Sequence, residues 1–173
     1  VGILLATKRT GEKLNLEDDE KSKFDSYRKK LVNNEINLLD ICMKEDLILS
    51  TANIAPLSHW ITPNIESRRF DTRFFIAYLP EKQIVQHDGM ELTQSLWINP
   101  NKAVDMAFKG EMQMIMPTIK NLQACSEFTV AKDMLDSQKR LTNKDIPPIL
   151  PKFFKENGNW VGLLPGDDGY EDH

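Results

Sequence analysis

The sequence predicts a mixed α/β fold, and three observations carry that prediction. From Leu57 to Pro80 two strand-like runs flank a polar connection, and the second alternates at a period of two. Helical spacing of apolar residues recurs on both sides of that stretch, at Phe24, Tyr27 and Leu31 and again beyond Asn99. The composition agrees, since 173 residues with 40% hydrophobic and 28% charged side chains suit one globular domain with a real core.

The first six residues, Val1 to Ala6, are apolar, with no methionine and no polar lead-in, and read as a chain cut from something longer. Residues 7 to 19 are polar, and the acidic run Glu17 to Glu20 opens a helix. Its apolar side is Phe24, Tyr27 and Leu31, and Lys29 and Lys30 come late, opposite in sign to the acids at its start. Asn33-Asn34 should break it. A second short helix carries Leu38, Leu39, Cys42 and Met43 on one side. The pair reads as a helical insertion over 20–44 lying on the domain, its charge runs solvated.

In the central stretch, Leu57 to Ile61 is the first strand, and Thr62-Pro63-Asn64 stops it because Pro63 has no N–H for a ladder. The pattern restarts from Arg69 with Phe70, Thr72, Phe74 and Ile76 on one face and Asp71, Arg73 and Phe75 on the other. Both faces turn apolar around Phe74, which predicts an interior strand with Phe74 buried. Arg68, Arg69, Asp71 and Arg73 should then be ion-paired or face a cleft, because an unpaired buried charge is strongly destabilising.

Ile84 to His87 reads as a short strand ended by an Asp88-Gly89 turn, and Glu91 to Ile98 as another strand. Asn99-Pro100 is a helix start, an N-cap followed by proline at the first helical position. That helix should turn Ala103, Val104, Ala107 and Phe108 inward and end at Gly110. Met112, Met114 and Met116 alternate in an extended piece, as core filling rather than a metal or haem site. Two helices follow at 117–125 and 127–139, the second with Phe128, Ala131, Met134 and Leu135 on one face. The proline-rich end reads as an extended tail over 145–173, with Asn159 to Leu164 as an edge strand.

Net charge of −4 and a pI near 5.4 supply no overall field for nucleic acid or anionic membrane. An anionic substrate would need local arginines or a metal. No apolar run approaches the length of a membrane span or signal peptide. Cys42 and Cys125 lack metal-ligand spacing and read as reduced thiols of a cytoplasmic protein. There is no Gly-x-Ser-x-Gly, Cys-x-x-Cys, His-Glu-x-x-His or dinucleotide loop, and Pro165-Gly166-Asp167-Asp168-Gly169 lacks the Lys-Ser/Thr of a phosphate loop. The histidines His59, His87 and His173 are isolated, and His59 beside Trp60 reads as a satisfied core or cleft histidine. Glu91, on a turn six residues before Trp97, is the most suggestive acid; the alternative is a surface carboxylate.

Together, Trp60-Ile61-Thr62-Pro63, the run Arg68 to Phe75, His87-Asp88, Glu91 with Trp97, and the ending Pro165 to Tyr170 resemble the C-terminal part of a Nudix hydrolase. Within that superfamily the chain is similar to the coenzyme A diphosphatase-like subgroup. The resemblance implies a Nudix α/β/α sandwich, N-terminally truncated and with helical insertions, of which residues 1–173 form the C-terminal portion of a single domain. Val1-Gly2-Ile3 fits only the last three positions of the Nudix box G-x5-E-x7-R-E-U-x-E-E-x-G-U, where U is apolar. By this resemblance the glutamates that hold Mg2+ or Mn2+ lie upstream of Val1, no metal ligand is expected in the chain, and the chain alone is expected to be inactive.

The resemblance further implies a metal-dependent hydrolase acting on a small-molecule nucleotide substrate, coenzyme A or an acyl derivative. Arg69 and Arg73, with Trp60, are the expected substrate contacts, since a guanidinium fork matches phosphate oxygens. Pairing of the arginines with Asp71 is the alternative. A carboxylate outside the box assists the metal or the attacking water in several Nudix enzymes, and Glu91 is placed for that catalytic role. Neither nucleic acid nor membrane is expected as a partner, and a homodimer stays open. Two other classes also stay open: a non-catalytic ligand-binding or regulatory Nudix-fold module, and an interaction surface on the 20–44 hairpin.

Overall fold

A computed structural model describes residues 2–16, 18–89 and 92–173. The chain divides into two compact units, one of Val1–Ile54 with Ala77–Trp97 and one of Ala55–Ile76 with Ile98–His173.

In the first unit, β1 (Ala6–Lys8) pairs antiparallel with β2 (Leu47–Leu49), Ala6 opposite Leu49 and Lys8 opposite Leu47. Between them lie α1 (Asp18–Val32) and α2 (Leu38–Lys44). The Asn33-Asn34 break is present. Asn34 takes a left-handed φ of 58°, and the N–H groups of Asn34 and Glu35 donate to Leu31 and Lys30 carbonyls at 3.1 and 2.8 Å. The last carbonyls of α1 are satisfied this way, with asparagine in the place glycine usually takes. A reciprocal box opens α2: Asn37 Oδ1 accepts from Asp40 N, and the Asp40 carboxylate accepts from Asn37 N.

The buried cluster of this unit is Ala6, Leu14, Phe24, Ile41, Cys42 and Leu47. Both hairpin helices therefore supply core. The buried face of α2 differs from the expected one, since Ile41 and Cys42 are inside while Leu39 is exposed and Met43 is 74% exposed. The face that turns inward from Leu38 carries Ile41 and Cys42 at i+3 and i+4, and Leu39 and Met43 fall outside it. Beside the cluster, the Glu45 carboxylate takes Lys23 Nζ at 2.7 Å and the Tyr27 hydroxyl at 2.6 Å. Hydrogen bonds from Lys23 and then Tyr27 hold Glu45 below the usual carboxylate range, while Glu20 and Glu45 raise Lys23.

Residues 84–87 and 92–98 are irregular, not strands. Leu4 N–H donates to Gln83 Oε1 at 2.8 Å, and Gln83 Nε2 donates to Leu4 O at 2.9 Å, so a buried side-chain amide does what a strand partner would do. Arg28 takes the Gln86 carbonyl and Ile84 points outward. Further on, Asp88 Oδ1 accepts from Leu92 N, Gly89 N donates to Leu92 O in the expected turn, and Trp97 is 77% exposed. No named strand pairs with either segment among the described residues, so the apolar pattern has no ladder to join. Glu91 lies outside the described residues.

The second unit is built around a sheet in the order β4 (Asp71–Ala77), β3 (Ile54–Ile61), β5 (Pro148–Ile149). Strand β5 runs parallel to β3, with His59 opposite Pro148 and Trp60 opposite Ile149. The period of two holds along β4: Thr72, Phe74 and Ile76 are half-buried, and Asp71, Arg73 and Phe75 are exposed. The expected two-sided burial of Phe74 is not found. β4 is a sheet edge, and the face carrying Asp71 and Arg73 stays hydrated, where those charges cost least.

Three helices follow, α3 (Pro100–Phe108), α4 (Met116–Ser126) and α5 (Ala131–Gln138), and α3 packs on α4. Asn99 caps α3 by accepting from Asn101 N at 2.9 Å, as expected. Ala103 and Val104 are buried, but Phe108 is 70% exposed, in the last turn before the chain leaves through left-handed Gly110. Met112, Met114 and Met116 are half-buried, alternating with exposed Gln113 and Ile115. In α5, Met134 and Leu135 are buried while Ala131 is exposed, because the helix starts four residues later than its apolar spacing suggests. Cys42 is buried and Cys125 half-buried; both are free, and burial pushes the Cys125 thiol up.

The end of the chain is more regular than a proline-rich tail. β6 (Lys152–Glu156) and β7 (Asn159–Leu163) form an antiparallel hairpin closed by Asn157-Gly158, with φ of 49° and 83°. Positive φ at both loop residues is the turn geometry that matches strand twist. No helix among the described residues is long and apolar enough to cross a membrane.

Candidate functional site

The β3–β4 connection is clasped by one residue. Thr62 N–H donates to Phe70 O at 2.9 Å, Phe70 N–H donates to Thr62 Oγ1 at 2.9 Å, and Arg69 Nε donates to Thr62 O at 2.9 Å. Pro63 ends β3 because it has no N–H to offer, and the Thr62 hydroxyl takes over where the ladder stops. The Arg68 guanidinium then lies 4.9 Å from the centre of the Phe70 ring, a cation–π contact on an exposed loop.

A groove of about 450 Å³ opens beside this clasp. Its floor is apolar, from Trp60, Phe74, Met116 and Phe153, and Arg68 and Glu66 bring charge to its wall. Trp60 is only 4% exposed, and its Nε1–H donates to Ser58 Oγ at 3.1 Å. Ser58 Oγ in turn donates to Asn121 Oδ1 at 2.6 Å, which fixes the indole to α4. Gly162 lets the Phe153 ring close in, since a Cβ there would stand 2.7 Å from Phe153 Cε1.

A second cluster surrounds Asp71, whose Oδ1 receives His59 Nε2 at 2.6 Å and Arg73 Nη1 at 3.2 Å. His59 and Arg73 line a smaller recess of about 180 Å³ with Ser58 and Asn143. His59 is thus a satisfied histidine, its side chain mostly buried and held by a carboxylate.

The expected substrate contacts are distributed over these two places. Trp60 lines the groove. Arg73 pairs with Asp71 and lines the smaller recess, and Arg69 spends its Nε on the Thr62 carbonyl rather than on Asp71. Arg68, expected to be paired or to face a cleft but not counted among the substrate contacts, is the guanidinium that reaches the Trp60 groove. Extending the Phe70–Thr72–Phe74 face back by two positions points to it, as the groove lining includes all four residues. Met116 and Phe153 come from distant segments, and no local pattern could place them there. Among the described residues, no three His, Cys, Asp or Glu side chains are grouped so as to hold a metal ion.

A solved Nudix hydrolase from Alicyclobacillus acidocaldarius superposes on this chain with a TM-score of 0.62 at 22% identity, covering 79% of this chain and 60% of that one. The α/β fold is therefore that of the Nudix hydrolases. The model of the NUDT19 Nudix domain matches residues 1–124, and the chain belongs to that family. Among its relatives, acyl-coenzyme A diphosphatase NUDT19 of Xenopus laevis is 26% identical over an alignment of 160 residues that covers 88% of this chain and 41% of the relative. The human protein of the same name is 25% identical over 147 residues, 84% of this chain and 39% of its own length. The chain thus spans about two fifths of the length of these relatives.

Proposed function

We propose that the protein carrying this chain hydrolyses the diphosphate of coenzyme A or an acyl derivative, and that the Trp60 groove is part of its substrate wall. The match of residues 1–124 to the NUDT19 Nudix domain carries this reading, and two relatives bear the name acyl-coenzyme A diphosphatase. The groove suits one end of such a substrate: an apolar floor for a ring or chain, and the Arg68 and Arg69 guanidiniums near it for phosphate oxygens. Nudix hydrolases in general use a divalent metal, and Mg2+ or Mn2+ is the expected ion. The described carboxylates supply no trio for that ion. In this reading Glu91 is the assisting carboxylate, and the 173 residues alone give no metal-dependent turnover.

Steady-state turnover of coenzyme A tests this. Trp60→Ala and Arg68→Ala in the complete enzyme should raise KM more than they lower kcat, because they remove binding shared by ground and transition states. Glu91→Gln should lower kcat by about 10²–10⁴, the range for loss of a general base. If all three variants turn over like the parent enzyme, the groove and Glu91 have no part in the reaction. A protein that binds coenzyme A without turning it over would be a ligand-binding module instead.

A further inference from the structure

The first unit holds two recesses that share Asp25, Arg28, Val32 and Asp88 in their walls and are therefore continuous. The inner one, about 300 Å³, is lined by apolar side chains including Leu4, Leu16, Phe24, Leu31 and Ile41. The outer one, about 390 Å³, has Arg28, Lys29 and His87 in its wall beside Asp25 and Asp88. The acids at this mouth are already engaged: Asp25 pairs with Lys21 at 3.0 Å, and Asp88 Oδ1 accepts from Leu92 N at 3.0 Å.

Arg28 stands where the two recesses meet. Its Nη2 donates to the Gln86 carbonyl at 2.8 Å, and no carboxylate pairs with it among the described residues. Gly2 makes room for it, since a Cβ on that residue, at φ 71°, would stand 2.5 Å from Nη1. His87, also at the mouth, has a buried Nδ1 without a hydrogen-bond partner. An apolar chamber beside a polar mouth at which the Arg28 guanidinium has no carboxylate partner is complementary to an amphiphile with one anionic head.

We infer that this two-part pocket binds a medium-chain fatty carboxylate, its chain in the apolar chamber and its head on Arg28. A guanidinium held by one backbone carbonyl keeps N–H groups free for a carboxylate. The chain end would lie against Phe24 and Ile41, where burial favours each added methylene.

Titration calorimetry of the full chain with octanoate, decanoate and decanol tests this. Each methylene should tighten binding about fourfold, so decanoate should bind about 15-fold better than octanoate. Decanol should bind more weakly than decanoate. Arg28→Met should weaken decanoate about tenfold or more and Arg28→Lys should restore part of the loss. Leu38→Glu, at a partly exposed position lining the chamber, should also weaken it without touching the arginine. Thermal melts show which variants fold, and Leu38→Glu decides if Arg28→Met does not. Nuclear Overhauser contacts from the decanoate methyl should reach Phe24 and Ile41. Equal affinity for octanoate and decanoate, decanol binding as tightly as decanoate, contacts elsewhere, or no binding at millimolar ligand would each overturn the inference.

Discussion

At Trp60 a large apolar ring and a polar N–H are accommodated separately, the ring at the groove floor and the N–H on Ser58, itself held to Asn121. Ser58→Ala removes the middle of that relay and leaves both outer groups without their partner. It should cost about 1–3 kcal/mol in urea unfolding, and no change in midpoint would mean the relay is dispensable. Phe74 is half-buried, so Phe74→Ala should cost about 2 kcal/mol, less than the about 3–5 of a fully buried phenylalanine. A loss in the upper range would show Phe74 covered in solution. Hydrogen bonds from Lys23 and then Tyr27 hold the Glu45 carboxyl below the usual carboxylate range, so its contribution is present above the ordinary carboxylate pKa and is lost as pH falls through the lower folded value. Glu45→Gln should therefore lower stability near neutrality and flatten its decline in the acid range, measured as unfolding free energy against pH. Parallel curves for parent and variant would contradict this.

Among the elements, those with their own end signals were legible in the sequence. Asn99-Pro100 and Asn33-Asn34 fix helix ends through local hydrogen bonds, and the alternation of 71–76 places Phe74 and Ile76 on the inner side of β4. Segments 84–87 and 92–98 carry apolar residues and are bounded by the Asp88-Gly89 turn, yet whether such a run becomes a strand depends on a partner that sequence periodicity does not reveal. Gln83 illustrates this, because its contact with Leu4 joins positions 79 residues apart. The Asn157-Gly158 hairpin had a local signal, Asn-Gly between strand-forming residues, which the prolines around it obscured. Gly158→Ala, at φ 83°, should destabilise the hairpin by about 1 kcal/mol and loosen the Phe153 wall of the groove. Faster amide exchange in β6 and β7 would register it, and unchanged protection would count against the turn.

For the whole molecule, the family was legible because Trp60–Pro63 and Arg68–Phe75 are local runs that reappear as the clasp and wall of one groove. The division of labour among the arginines was not, since it depends on which carbonyl or carboxylate each guanidinium meets: Thr62 for Arg69, Asp71 for Arg73. Membership of the NUDT19 Nudix domain family, combined with a groove that joins an apolar floor to guanidiniums, supports the proposal of coenzyme A hydrolysis. Product chromatography tests it most directly, with the complete protein and the 173-residue chain each given coenzyme A, ADP-ribose and NADH, with and without Mg2+ or Mn2+. Coenzyme A should give 3′,5′-ADP and a phosphopantetheine fragment with the complete protein and metal, and the chain alone should give no turnover. Cleavage of ADP-ribose or NADH with coenzyme A left intact, or metal-dependent turnover by the 173 residues, would contradict it.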